Sequence, residues 1–146
     1  MSLLRKNKVL ETEVVKECRN LEVLTYALIN KWKKTYRYTL TESFRRYVSN
    51  LRECVISGLR TDKTAPKVKM FYYDNGLCNL DNIEYLLEIM VSNSFNIISD
   101  KQFADFAILV DKIGGMIDKL MRSLKKNNNE KTPESQSYGD ERDENL

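Results

Sequence analysis

The stretch FADFAILVDKIGGMIDKLMRSL, residues 103–124, decides the fold class. Its apolar positions are Phe103, Phe106/Ala107, Val110, Ile113/Gly114, Ile117, Leu120/Met121 and Leu124, in steps of three and four. That spacing lines one face of an amphipathic helix. The paired glycines Gly114 and Gly115 fall inside it and are expected to mark close backbone approach of a neighbour. Working outward toward the N-terminus, Tyr73, Gly76, Leu80, Ile83, Leu87 and Met90 form a second stripe, flanked by Phe71, Leu86 and Val91. The interior Gly76 weakens that helix by about 1 kcal/mol against alanine. Ser92 to Ser99 reads as the connection, with Ser99 or Asp100 as the cap of the last helix.

Two more stripes precede these. Phe44, Tyr47/Val48, Leu51, Cys54/Val55 and Gly58/Leu59 predict a helix that begins after Tyr36-Arg37-Tyr38 and breaks at Asp62 to Pro66. Thr39 and Glu42 have the spacing of a capping box at its start. The first stripe is Leu10, Val14, Cys18, Leu21, Leu24, Leu28 and Trp32. Lys31, Lys33 and Lys34 would make its last turn cationic, which suits the negative end of a helix dipole.

Four amphipathic helices of about 20–25 residues, joined by short connections, predict an all-α, up-down-up-down four-helix bundle. It would occupy residues 1–126. From Asn127 onward apolar residues all but vanish, so residues 127–146 are expected to be a disordered acidic tail.

Composition excludes several classes of function. The chain has no histidine, which removes Ser–His and Cys–His nucleophiles and the Glu-x-x-His ligands of di-iron bundles. No glycine-rich phosphate cradle is present. Cys18, Cys54 and Cys78 form no CxxC pair and match no zinc spacing, so they read as small buried hydrophobes of a reduced, cytoplasmic protein. No run of eighteen apolar residues suggests a membrane span, and no apolar stretch after Arg5, Lys6 and Lys8 suggests a secretory signal. The expectation is a protein that is not an enzyme and carries no cofactor.

Charge is the strongest functional signal. Between residues 31 and 69 lie eleven basic side chains, Lys31, Lys33, Lys34, Arg37, Arg45, Arg46, Arg52, Arg60, Lys63, Lys67 and Lys69, against Glu42, Glu53 and Asp62. That segment carries +8, while residues 1–30 sum to +1, 70–126 to −2 and 127–146 to −4. A concentrated positive field points to a polyanionic partner, with counterion release as the driving force. Tyr36, Tyr38, Tyr47, Tyr72 and Tyr73 interleave with these charges and are candidates to stack on unpaired bases. No base-reading motif accompanies them.

The order of parts resembles the accessory variability determinant (Avd) proteins of diversity-generating retroelements. It is also similar to the four-helix proteins encoded in intervening sequences of bacterial 23S ribosomal RNA genes. The resemblance covers roughly residues 20–126. It rests on Leu28-Ile29-Asn30-Lys31-Trp32, on Phe44-Arg45-Arg46 in the second helix, and on a third helix ending Leu80 to Met90. Its most specific parts are Ile97-Ile98-Ser99-Asp100-Lys101-Gln102-Phe103 and Asp111-Lys112-Ile113-Gly114-Gly115-Met116-Ile117. The resemblance implies a homopentameric ring or barrel of four-helix bundles with a basic surface. It further implies binding to a reverse transcriptase and to RNA or cDNA during mutagenic copying. Asp81, Glu84, Glu88 and Asp105 are then candidates to meet the enzyme. The competing expectations are an intervening-sequence-type bundle and a protein-interaction scaffold that binds no nucleic acid.

Overall fold

A computed structural model of the chain describes residues 7–131. Among them all regular structure is helical: α1 (Glu13–Ile29), α2 (Glu42–Arg60), α3 (Pro66–Val91) and α4 (Asp100–Lys131). A 3-10 turn at Lys34–Tyr36 and a π-helical turn at Arg37–Thr41 lead into α2. The dominant pairings are α1 with α2, α2 with α3, α3 with α4, and α4 with α1. That closed cycle is a four-helix bundle.

The core follows the stripes. Cys18 and Leu21 from α1, Phe44, Val48, Leu51 and Val55 from α2, Ile83, Leu87 and Met90 from α3, and Phe106, Ile113 and Ile117 from α4 are all buried. Phe44 is fully buried and joins two other aromatic rings. Its ring meets Trp32 edge-on at 5.7 Å and Phe106 edge-on at 5.4 Å, the geometry that aromatic quadrupoles favour.

Local chemistry explains the element ends. Thr61 closes α2, its Oγ1 donating to the Ser57 carbonyl at 2.7 Å. Asp62 Oδ1 then accepts from both the amide and the hydroxyl of Thr64 at 2.9 Å, an Asx turn. Pro66 opens α3, where its fixed φ suits the first helical position. In the α3–α4 loop, Asn96 takes a left-handed conformation (φ 49°), and the Ile97 amide returns to the Met90 carbonyl at 2.7 Å. Ser99 and Gln102 form a reciprocal capping box: the Gln102 amide donates to Ser99 Oγ at 3.1 Å, and the Ser99 amide to Gln102 Oε1 at 2.9 Å.

Several local expectations are corrected. The capping box lies at Ser99/Gln102 and not at Thr39/Glu42. Thr39 sits inside the π-helical turn and donates to the Tyr36 carbonyl, while Glu42 turns to Arg45. α1 ends at Ile29, so Lys31, Lys33 and Lys34 follow the helix and are not its last turn. Trp32 is nonetheless buried, folded back from the turn. Leu10 precedes α1 and is about half exposed. The close approach expected at Gly114-Gly115 occurs instead at Gly58, where an added Cβ would lie 2.5 Å from the Tyr73 ring. At Gly114 it would meet Leu80 Cδ1 at 3.7 Å, an ordinary contact, and at Gly115 nothing within 4 Å. Gly76 is buried without interrupting α3. Of the cysteines only Cys18 is buried; Cys78 is exposed. α4 continues through Asn127 to Lys131, and the remainder of the expected tail, 132–146, lies outside the described residues.

Candidate nucleic-acid interface

Eleven cations contiguous in sequence do not form one surface. α2 has nineteen residues, which at 1.5 Å per residue separates its ends by about 28 Å. Charges that far apart act independently, since screening at physiological salt has a length of about 8 Å. The set therefore divides. Lys31, Lys33, Lys34, Arg45 and Arg46 belong to the α1–α2 end, where the backbone also places Arg37. Arg60, Lys63, Lys67 and Lys69 belong to the α2–α3 end. Arg52 lies between them, on the body of α2.

Three of these residues have partners within the chain. Arg52 reaches across to α1 and pairs with Glu22, a carboxylate that is otherwise nearly buried and also accepts from Tyr26 at 3.4 Å. Arg45 pairs with Glu42 one turn earlier, and that guanidinium holds the Glu42 carboxyl below its usual range. Lys69 Nζ donates to the carbonyls of Gly58 at 2.8 Å and Leu59 at 3.4 Å, capping the negative end of α2. Burial pulls the Lys69 ammonium below the ordinary lysine range, with Asp62 opposing the shift.

Seven of the others face water. Lys31, Lys33, Lys34, Arg46, Arg60, Lys63 and Lys67 are exposed. The ion pairs found among the described residues engage only Arg45, Arg52 and Lys112. Arg46 lies over the Tyr47 ring, 5.4 Å from its centroid.

The aromatic candidates separate in the same way. Tyr73 is buried against Gly58 and cannot meet a base. Tyr36 packs edge-on against Phe95 of the α3–α4 loop at 5.5 Å. Tyr38 is 88% exposed. Tyr72 is half-buried and edge-on to Phe71 at 5.6 Å, and Phe71 itself is 62% exposed.

Sequence reasoning missed the cations of α4. Lys119 lines a crevice with Leu59 of α2 and Thr12, just before α1. Lys125 and Leu124 line another with Pro66, Lys67 and Met70 of α3. The last turns of α4 thus join the α2–α3 end and bring Lys119, Arg122, Lys125 and Lys126 to it. Residues 119–126 contain no acid. A finer charge window would have found them, because the −2 of residues 70–126 conceals a +4 end.

Acidic residues gather elsewhere. Glu84 and Glu88 of α3 and Asp111 of α4 line one crevice over Leu87, Phe103 and Ala107. Partial burial, then Asp111, Asp81 and Glu88, push the Glu84 carboxyl above its usual range. Asp105 is exposed and does not line that crevice. No trio of Cys, Asp and Glu among the described residues is placed to hold a metal ion. No described helix is long and apolar enough to cross a membrane.

Comparison with known proteins gives no matching family model and no matching curated relative.

Proposed function

We propose that this chain is a cytoplasmic, non-enzymatic accessory protein of a diversity-generating retroelement. It binds the element's reverse transcriptase and holds template RNA or cDNA on a basic surface. The observation that carries the reading is the pair of cation-rich bundle ends, with seven exposed Lys and Arg of the basic segment in no ion pair among the described residues. Such charges gain affinity for phosphates by releasing counterions, without reading sequence.

The same reading assigns an up-down-up-down alternation and a homopentameric ring. The crevice that gathers Thr12 and Glu13, Leu59 and the Met116–Ser123 stretch supports the alternation, since it brings the start of α1 to the ends of α2 and α4. In a ring, several weak basic faces act on one strand, and effective concentration multiplies their affinity. The acidic α3–α4 crevice, with Asp81 beside it, is the surface offered to the polymerase.

A scaffold reading has one observation in its favour, an apolar groove between α1 and α2 lined by Leu10, Val15, Val23, Tyr26 and Ile56. The two readings part on a salt titration of a fluorescent single-stranded RNA, run beside a light-scattering mass. The accessory reading expects binding that weakens steeply with salt, at a log–log slope of about −0.7 per phosphate neutralised. It also expects a mass five times the 17.1 kDa of one chain. Absent or salt-insensitive binding by a monomer would leave the scaffold reading in place.

A further inference from the structure

The two basic ends differ in construction. At the α1–α2 end the cations come from one loop and the first turn of α2, and the adjoining α3–α4 loop, residues 92–99, carries no charge. At the other end they come from three elements. Arg60 closes α2, Lys63 lies in the α2–α3 loop, Lys67 starts α3, and Lys125 faces Lys67 across a shared crevice.

That end also holds an apolar feature the fold does not use. Phe71 is 62% exposed and Val68 46% exposed, on a helix whose inward face is complete without them. Phe71 is four residues past Lys67, so the two share a helix face one turn apart. The Tyr72 ring stands edge-on at 5.6 Å and braces the Phe71 ring from one side. An open aromatic face beside converging ammonium groups is the arrangement that unpaired bases and their phosphates fit together.

We propose that the start of α3 and the end of α4 form a binding site for an unpaired nucleic-acid strand. Phe71 stacks on a base while Lys67 and Lys125 neutralise flanking phosphates. Lys63 and Arg122 extend the track on either side. Asp62, Asp118 and Asp74, the last exposed and three residues past Phe71, lie within the same region and limit its field. Asp62 is occupied by Thr64, and Asp118 shares its crevice with Arg122 and Lys125. The assignment rests on the polyanion reading above and adds its location, its base contact and the part played by α4. A stacking face cannot engage a base locked in a duplex, so the site selects single strands. No group here is assigned to the 2′-hydroxyl, so single-stranded RNA and DNA are expected to bind alike.

The test is fluorescence anisotropy of the full chain with a labelled single-stranded RNA, the same DNA sequence, and the RNA duplex, across a salt series. Phe71→Ala is expected to weaken single-strand binding about 5- to 100-fold with the salt slope unchanged, and Phe71→Trp to retain affinity. The double substitution Lys67→Gln/Lys125→Gln should weaken it at least about tenfold and flatten the log–log slope by about 1.4, twice the per-phosphate value. Lys33→Gln/Lys34→Gln at the opposite end should stay within about twofold of wild type on the same scale. The location is overturned if the Lys33/Lys34 variant loses as much as the Lys67/Lys125 variant. Stacking is overturned if Phe71→Ala binds like wild type, if the duplex binds as tightly as the strand, or if RNA and DNA differ by an order of magnitude. Wild-type protein that binds none of the probes would remove the polyanion reading and this site together, whereas steep wild-type binding retained by the Lys67/Lys125 variant removes this site alone.

Discussion

Gly58→Ala should destabilise the bundle even though alanine is the better helix former. Gly58 is buried in the last turns of α2, facing α3. A Cβ there would lie 2.5 Å from Tyr73 Cε1, 2.8 Å from Cδ1 and 3.1 Å from Cζ. Ordinary contact begins near 3.4 Å, so the ring would have to retreat by about 0.9 Å. Tyr73 is only 2% exposed and has no open side to retreat toward. Overpacking of this kind costs about 1–3 kcal/mol, and the helix propensity of alanine returns about 1 kcal/mol. The net loss is about 0–2 kcal/mol, a fall in Tm of up to about 8 °C for a chain of this size. Gly115→Ala is the internal control: nothing lies within 4 Å of its Cβ, so the propensity gain of about 0.5–1 kcal/mol should appear undiminished. Urea unfolding of both variants, and of Gly58→Ala in a Tyr73→Leu background, gives the coupling between the two positions. With the ring gone, alanine at 58 should turn stabilising. A Gly58→Ala chain more stable than wild type, or a loss that survives removal of the ring, would refute the reasoning.

Three further outcomes follow from single contacts. Arg52→Glu removes the partner of the nearly buried Glu22 and should cost about 1–3 kcal/mol in urea unfolding, whereas Lys33→Glu/Lys34→Glu, on exposed loop positions, should stay within about 0.5 kcal/mol. Glu84 has a folded-state carboxyl raised by burial and by Asp111, Asp81 and Glu88. Its charged form is therefore disfavoured in the native state, and it lowers stability as pH rises from the unfolded value through the folded one. Glu84→Gln should raise Tm at pH 7, and the gain should vanish once the pH is below the ordinary glutamate range; an equal gain at both would contradict the cause. Cys18 is buried and its thiol is pushed up to about 12, by burial first and Glu22 next, while Cys78 is exposed. Iodoacetamide at neutral pH should label Cys78 on the native protein and Cys18 only on unfolding, as read by peptide mass; equal rates would place Cys18 outside the core.

Helical periodicity made the core of α2, α3 and α4 legible. Phe44, Leu51, Ile83, Leu87, Phe106 and Ile113 are buried because their spacing puts them on one face of each helix. Periodicity names a face and stays silent about what stands opposite. Gly58 and Gly114 both fall on an apolar stripe, yet only Gly58 is crowded by a tyrosine ring, while Gly114 would meet Leu80 at an ordinary 3.7 Å. The Thr39/Glu42 and Ser99/Gln102 pairs have the same spacing, and backbone conformation at Arg37–Thr41 removes the first from consideration as a cap. Charge counted along the chain is silent about space for a related reason. Counting along the chain joined Lys33 to Lys67, which α2 holds about 28 Å apart. The same count hid Lys125 behind the acids of α3 and α4, although folding brings it to the crevice Lys67 lines. Likewise, nothing in composition distinguishes Arg52 and Lys69, committed to Glu22 and to the end of α2, from cations free to bind phosphate.

The most direct test of the central claim is photocrosslinking of wild-type protein to a 4-thiouridine single-stranded RNA, with the attached peptides mapped by mass spectrometry. The account predicts crosslinks at Phe71 and Tyr72 and within residues 60–70 and 119–126, fading as salt is raised. Crosslinks confined to residues 31–46, or spread evenly over the acidic α3–α4 crevice, would contradict it.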